Sequence, residues 1–110
     1  MSGSASRRKG LSGEREVAAI WTAYGFAVRG LEGSGDHLLI RGPNPLQRPT
    51  AVPLTIHSEV KRQERLQLWQ WLAQLEAEAP PGTLPLLSFR RNRSPWYAAV
   101  QLERLVELLA

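Results

Sequence analysis

Residues 54–61 alternate apolar and polar side chains, and this period of two constrains the fold more than any other part of the chain. The pattern predicts a β-strand with one apolar face. The opposite face would carry His57, Glu59 and Lys61. Because the apolar face of such a strand has to be covered, the strand is expected to belong to a sheet that packs against other elements.

Seven further segments have the periodicity of helices or strands, and glycine or proline separates most of them. Helices are predicted at 11–24, 63–78 and 102–109, and strands at 26–29, 37–41, 84–89 and 96–100. The order αβββαββα predicts one α/β or α+β domain, with a mixed five-stranded sheet flanked by helices. Residues 1–6 are predicted to be a disordered tail, which leaves 7–110 as the domain. Residues 42–53 carry four prolines and are predicted to form a stiff loop.

The composition is that of a globular domain. The chain has 110 residues, of which 43% are apolar and 22% are charged. It has no cysteine, which excludes disulfides, zinc fingers and thiol catalysis. The sequence has neither an apolar run long enough to span a membrane nor the hydrophobic stretch of a signal peptide near its start. A cytoplasmic protein without a membrane partner is therefore expected.

Basic residues outnumber acidic ones by fourteen to ten, and twelve of the fourteen are arginine. The guanidinium group is a planar fork that suits phosphate, so nucleic acid is the first candidate partner of this small basic protein. Two clusters of basic residues, one before the first helix and one in a turn flanked by aromatic residues, are candidate DNA contacts: Arg7, Arg8, Lys9, Arg90, Arg91 and Arg93. A solvated tail and an exposed turn without a role are the alternatives.

A pair of carboxylates is predicted where the second and third strands meet. If these strands form an antiparallel hairpin closed at Arg41 and Leu54, Asp36 lies opposite Glu59 on the same face. Two facing carboxylates repel each other and would destabilise an ordinary sheet. A divalent cation between them would remove the repulsion. Mg²⁺ is the expected ion because it prefers oxygen ligands, and Mn²⁺ is expected to substitute for it.

Three further residues extend this pair. Lys61 shares the face of Glu59, where it could orient a water molecule or stabilise charge on a phosphate. His57, on the same face, could position a water molecule or move a proton. Glu14 lies on the apolar stripe of the first helix, an unusual position for a structural glutamate. For Glu59 and Lys61 alone a solvated strand face is the simpler interpretation, but Asp36 and Glu14 together favour a metal-dependent phosphodiesterase site.

Four motifs occur in order along the first half of the chain: Lys9-Gly10-x-x-x-Glu14-Arg15-Glu16, Gly25-Phe26-Ala27-Val28-Arg29, Ser34-Gly35-Asp36 and Glu59-Val60-Lys61. This set resembles the archaeal-type Holliday junction resolvases of the PD-(D/E)xK nuclease superfamily. The resemblance covers residues 8–61, and from residue 62 onward only the order of elements agrees. It implies a catalytic set of Glu14, Asp36, Glu59 and Lys61, with Asp36, Glu59 and Glu14 as metal ligands. It also implies DNA contacts at Arg15, Arg29 and Ser34, to which Arg62 is added as the neighbour of Lys61.

The resemblance implies a Mg²⁺-dependent endodeoxyribonuclease that resolves four-way DNA junctions by paired symmetric nicks, in recombination and repair, without an organic cofactor. Because a junction has near two-fold symmetry, a homodimer with two active sites is expected, and the apolar last helix could form its interface. Two alternatives are another PD-(D/E)xK nuclease, of nicking, flap or restriction type, and a non-catalytic DNA-binding module. The location implied is the cytoplasm of a prokaryotic cell, or of the host for a virus-encoded member.

Overall fold

The computed structural model describes residues 3–30, 36–41 and 54–109, with side chains from Ser12 onward. The elements in chain order are α1 (Gly3–Ala23), β1 (Phe26–Gly30), β2 (His37–Arg41), β3 (Thr55–Arg62), α2 (Leu68–Glu78), β4 (Leu84–Arg90), β5 (Tyr97–Ala99) and α3 (Leu102–Leu109). The predicted order αβββαββα is therefore confirmed. The predicted loop at 42–53 and the candidate Ser34 lie outside the described residues.

Helix α1 is longer than its sequence pattern predicts. It begins at Gly3 rather than at residue 11, so residues 3–6, predicted to be disordered, are helical. Residues 4–9 contain neither a proline nor a β-branched residue, so nothing in this stretch opposes the extension of the helix. Helix α1 ends at Ala23, within one residue of the end that the sequence predicts. Gly25 adopts a φ of 90°, which favours glycine, and its N–H donates to the carbonyl of Thr22 over 3.0 Å.

The five strands form one sheet in the order β1-β2-β3-β4-β5. The β3–β4 pair is parallel, with α2 as the crossover, and the other three pairs are antiparallel. In the β2–β3 hairpin His37 lies opposite Ser58, and the N–H of Arg41 donates to the carbonyl of Leu54 over 3.1 Å. The predicted mixed sheet and the predicted hairpin register are both confirmed.

The two longer helices cover opposite faces of the sheet. On one face a buried cluster packs against Trp21 of α1, and it consists of Leu39, Ile56, Leu84 and Leu86. On the other face Leu87 packs against Trp71 and Leu75 of α2. Because Glu59 is paired with Leu87 in the parallel register, its side chain lies on the α2 face. The orientation of the candidate site follows from this register.

Helix α2 begins at Leu68, five residues later than predicted. Two hydrogen bonds hold the preceding residues at the end of the sheet. The N–H of Gln63 donates to the carbonyl of Arg90 over 3.1 Å, and Oε1 of Glu64 accepts the N–H of Asn92 at 2.8 Å. Trp71 of this helix is buried in the core, whereas Trp69, in the first turn of the helix, is 81% exposed. The segment of residues 63–67 is therefore an irregular connection between β3 and α2 instead of the first turn of a helix.

Helix α3 is strongly amphipathic and has no buried residue. Its apolar side chains are exposed: Leu102, Leu105, Val106, Leu108 and Leu109. In the ranges that the structure covers, no helix combines the length and the apolar character that a bilayer crossing requires.

Candidate active site

Asp36 is the residue immediately before β2, and it is buried. Its Oδ2 atom lies 2.7 Å from Nε2 of His57, whose side chain is 2% exposed. The other ring nitrogen of His57, Nδ1, is buried and has no hydrogen-bond partner among the described residues. A buried imidazole therefore fixes the orientation of the Asp36 carboxylate, which is the role that an outer hydrogen-bond partner has around metal-binding carboxylates.

Glu59 lies across the hairpin from Asp36, as the predicted register requires, and its side chain is 16% exposed. Burial raises the pKa of Glu59 from 4.5 to about 8, and the hydrogen bond and the negative charge of Asp36 act in the same direction. Lys61 opposes this rise in pKa through its own charge, with Nζ 3.4 Å from Oε1 of Glu59. Without a cation, the surroundings of Glu59 therefore favour its protonated form.

Lys61 is held between the candidate site and the core. Its Nζ lies 5.8 Å from the centre of the Trp71 ring, a cation–π contact with a buried side chain of α2. The Lys61 side chain is 23% exposed, so its ammonium group stays accessible beside Glu59. The predicted juxtaposition of Asp36, Glu59 and Lys61 on one face is thus present in the structure.

A third carboxylate lies beside this pair. Oxygen atoms of Asp36, Glu59 and Glu78 all lie within 4.8 Å of one another. Glu78 is the last residue of α2, and its Oε1 accepts a hydrogen bond from Gln74 over 3.1 Å. The periodicity of the sequence does not single out Glu78, because only the crossover of α2 onto this face of the sheet brings it to the hairpin.

Glu14, which the resemblance places in the catalytic set, is half-buried on α1. Among the described residues it belongs to no group of three close metal-ligating side chains. Glu16, two residues further on, makes contacts that the sequence did not predict. Its carboxylate lies 3.1 Å from Arg90 and 3.8 Å from Arg62, and it accepts the Trp96 indole N–H over 3.2 Å.

The candidate DNA contacts fall into two groups. Arg62 and Arg90 face the protein, since Arg62 also donates to Oγ of Ser12 over 3.0 Å and Arg90 lies 5.3 Å from the centre of the Trp96 ring. The others with described side chains are exposed: Arg15, Arg29, Arg91 and Arg93. Arg7, Arg8 and Lys9 lie on α1, and their side chains are outside the described part of the structure.

The turn between β4 and β5 has an unusual backbone. Arg93 adopts a φ of 64°, in the left-handed region where glycine or asparagine is cheaper. Hydroxyl and carboxylate groups hold this turn in place: Ser94 Oγ accepts the N–H of Arg91 over 3.2 Å, and Glu64 accepts the N–H of Asn92. The backbone of the turn is therefore held by hydrogen bonds, and the side chains of Arg91 and Arg93 are exposed on it.

A family profile described as "Phage putative PDDEXK endonuclease" matches residues 5–110. The chain belongs to this family. The match includes β4, β5 and α3, where the resemblance noted above covers only residues 8–61. Membership of the PD-(D/E)xK nuclease superfamily is thereby confirmed, and the phage description agrees with a virus-encoded member. The comparison with curated proteins finds no match for the chain.

PD-(D/E)xK nucleases usually work with a divalent metal ion, and the residues of this family member fit that requirement. The donor set consists of carboxylate oxygens alone, which suits Mg²⁺ or Mn²⁺ better than softer metals. Asp36 and Glu59 face each other, and the negative charge of Asp36 raises the pKa of Glu59, so a cation between them would favour the ionised form of both.

Proposed function

We propose that this family member is a divalent-metal-dependent DNA endonuclease whose substrate is the four-way junction. The observation that carries the nuclease activity is the placement of Asp36, Glu59 and Lys61 together on one face of the hairpin, with Lys61 Nζ 3.4 Å from Oε1 of Glu59. The choice of the junction as substrate is supported by the motifs of residues 8–61, which are similar to those of the archaeal-type junction resolvases.

Each residue of the proposed site has a separate task. Asp36 and Glu59 would hold the cation, which supplies an activated water and neutralises charge on the scissile phosphodiester when it is bound. His57 keeps the Asp36 carboxylate in one orientation. Lys61 offers the remaining positive charge, which would orient the attacking water or stabilise the phosphate oxygens. The resemblance implies a catalytic role for Glu14 as well, but among the described residues Glu14 does not belong to the acidic group at the hairpin.

Basic side chains would hold the DNA by its phosphates. The chain has a net charge of +4, and the exposed arginines at 15, 29, 91 and 93 are available for such contacts. We include Arg7, Arg8, Lys9 and Ser34 on the basis of their motifs alone. Phosphate contacts fix the register of a protein on DNA without reading its sequence, as expected for an enzyme that recognises a branched shape.

The proposed active unit is a homodimer. The exposed apolar face of α3 supports it, because an isolated chain leaves Leu102, Val106 and Leu109 in water, each more than half exposed. A second copy related by a two-fold axis would cover this face and supply the second active site that paired nicking of a symmetric junction requires.

Cleavage assays test the activity and the substrate together. With Mg²⁺, the protein should cut a four-way junction faster than a nicked or a linear duplex, and Ca²⁺ should support binding but little cutting because its geometry is longer and looser. Equal rates on junction and linear duplex would favour a nuclease of another PD-(D/E)xK type. Cleavage in EDTA would contradict the metal-dependent mechanism.

Asp36→Asn and Glu59→Gln test the site itself. Each change removes a metal ligand but little phosphate-binding charge, so we expect cleavage to be abolished while the junction affinity stays within about threefold of wild type. Electrophoretic mobility shift and cleavage assays on the same junction measure both. Loss of folding in both variants would show that these carboxylates are structural.

A further inference from the structure

We propose that Glu78, the last residue of α2, is the third carboxylate ligand of the divalent cation. The inference rests on the proposed metal-dependent function and assigns the ligand that the strand hairpin does not supply. It extends the Asp36–Glu59 pair of β2 and β3 to a site built from three separate segments of the chain.

Geometry is the first support. A carboxylate oxygen of Glu78 lies within 4.8 Å of those of both Asp36 and Glu59, so one ion could contact all three. The parallel register puts Glu59 on the face of the sheet that α2 covers. Helix α1, which carries Glu14, packs against the other face through Trp21. The topology therefore brings the end of α2, and not α1, to the hairpin carboxylates.

Charge is the second support. The last turn of α2 has no basic residue, and the carbonyl groups at a helix C-terminus carry partial negative charge, so a glutamate there is unfavourable without a counter-ion. Gln74 gives Glu78 a hydrogen bond from a neutral amide, which does not balance its charge. When all three carboxylates are ionised, Lys61 balances one of them, and a divalent cation balances the other two.

The buried histidine is the third support, because it points to a cation at Asp36, the carboxylate that Glu78 would join. His57 is 2% exposed and directs Nε2 at Asp36 over 2.7 Å, while its Nδ1 has no hydrogen bond within the described ranges. Burying an imidazole with one unsatisfied nitrogen costs free energy. Its contact through Nε2 holds the Oδ2 atom of Asp36 in one position. This is the arrangement expected around a metal ligand rather than around a solvated acidic surface.

Isothermal titration calorimetry of the 110-residue chain with Mn²⁺ alone tests the assignment without an activity assay. Glu78→Gln should weaken Mn²⁺ binding at least fivefold. Glu76→Gln is the matched control, since it removes the same charge from the same helix at an exposed position that contacts Gln101. The control should bind Mn²⁺ within twofold of wild type. Because Glu76 and Glu78 are both exposed, both variants should show the wild-type circular dichroism spectrum in EDTA.

Asp36→Asn separates the two proposals in the same experiment. If Asp36→Asn loses Mn²⁺ binding and Glu78→Gln loses less than fivefold, or no more than Glu76→Gln, the assignment of Glu78 is overturned while the proposed function stands. If Asp36→Asn binds Mn²⁺ as wild type does, the proposed metal site itself fails. A loss of fivefold or more that is specific to Glu78→Gln supports the inference.

Discussion

At the scale of single residues, Glu59 links the chemistry of the site to the stability of the fold. The pKa of its carboxyl group is about 8 in the folded protein, above the ordinary value of 4.5, mainly because the group is buried. Between these two pH values the folded chain binds more protons at Glu59 than the unfolded chain does. The free energy of unfolding therefore falls as the pH rises.

We predict that the metal-free protein loses stability as the pH rises from about 5 to about 8, and that Glu59→Gln loses less over the same range. The contribution of Glu59 is fully present below its unfolded pKa and is lost as the pH passes its folded pKa. Urea denaturation in EDTA at both pH values measures the difference. An equal pH dependence in wild type and Glu59→Gln would contradict the raised pKa.

Arg93 is a second residue with a measurable effect on stability, because its backbone conformation has a free-energy cost. Its left-handed φ of 64° costs an arginine about 1 kcal/mol relative to glycine. We predict that Arg93→Gly raises the free energy of unfolding by up to about 1 kcal/mol and weakens DNA binding, with a salt dependence lowered by about one phosphate contact. Arg91→Gly is the control, because Arg91 has no positive φ and should gain no stability. If Arg93→Gly is more stable than wild type but binds DNA equally tightly, the proposed contact of Arg93 with DNA is wrong.

At the scale of elements, Glu16 joins α1 to the far end of the sheet. Its carboxylate contacts Arg62 of β3 and Arg90 of β4, whose side chains are 21% and 16% exposed. Gly13 lets this approach happen, since a Cβ atom there would lie 3.2 Å from Cβ of Arg62. Two arginines that the sequence suggests as DNA contacts thus hold a helix to the sheet.

We predict that Glu16→Gln lowers the free energy of unfolding by about 1–3 kcal/mol, because it leaves two half-buried guanidinium groups without an anionic partner. Glu107→Gln is the control, since its 3.9 Å pair with Arg104 is exposed and contributes about 0–1 kcal/mol. Urea denaturation of both variants gives the comparison. A loss in Glu16→Gln no larger than in Glu107→Gln would show that the cluster is not stabilising.

The sequence predicts the hairpin elements well because two constraints agree there. The alternation of residues 54–61 sets which side chains share a face, and the closing pair Arg41 and Leu54 sets the register, so the sequence alone places Asp36 opposite Glu59. The start of α2 could not be placed in this way. Contacts of Gln63 and Glu64 with distant residues override a local helical pattern there.

The third carboxylate shows the same limit at the site. The apolar stripe of α1 and the motif around Glu14 both draw attention to that residue, whereas nothing in the local pattern marks Glu78. Which helix reaches which face depends on the parallel β3–β4 pairing, a contact between segments far apart in sequence. Hydrophobic periodicity shows which side chains of a helix or strand lie on its apolar face, but it does not show which other element covers that face.

At the scale of the whole molecule, the exposed apolar face of α3 is the surface through which the proposed dimer would form. We predict that Leu105→Glu combined with Leu109→Glu gives a folded monomer that still nicks one strand but rarely completes junction resolution. Analytical ultracentrifugation and a cruciform-plasmid assay, which separates nicked from linear products, measure the two effects. Glu103→Gln, on the same helix, should remain dimeric. A wild-type chain that is monomeric on junction DNA at micromolar concentration would contradict the dimer.

The acidic group of β2, β3 and α2 also has a consequence for the lifetime of the protein. Completing the fold brings three carboxyl groups within 4.8 Å of one another, so ionising all three in the folded chain works against like-charge repulsion until a cation binds. A ligand that binds only the folded chain shifts the folding equilibrium towards it. The supply of divalent ions in the cell would therefore set how long each chain escapes proteolysis, and depleting those ions would remove the protein along with its activity.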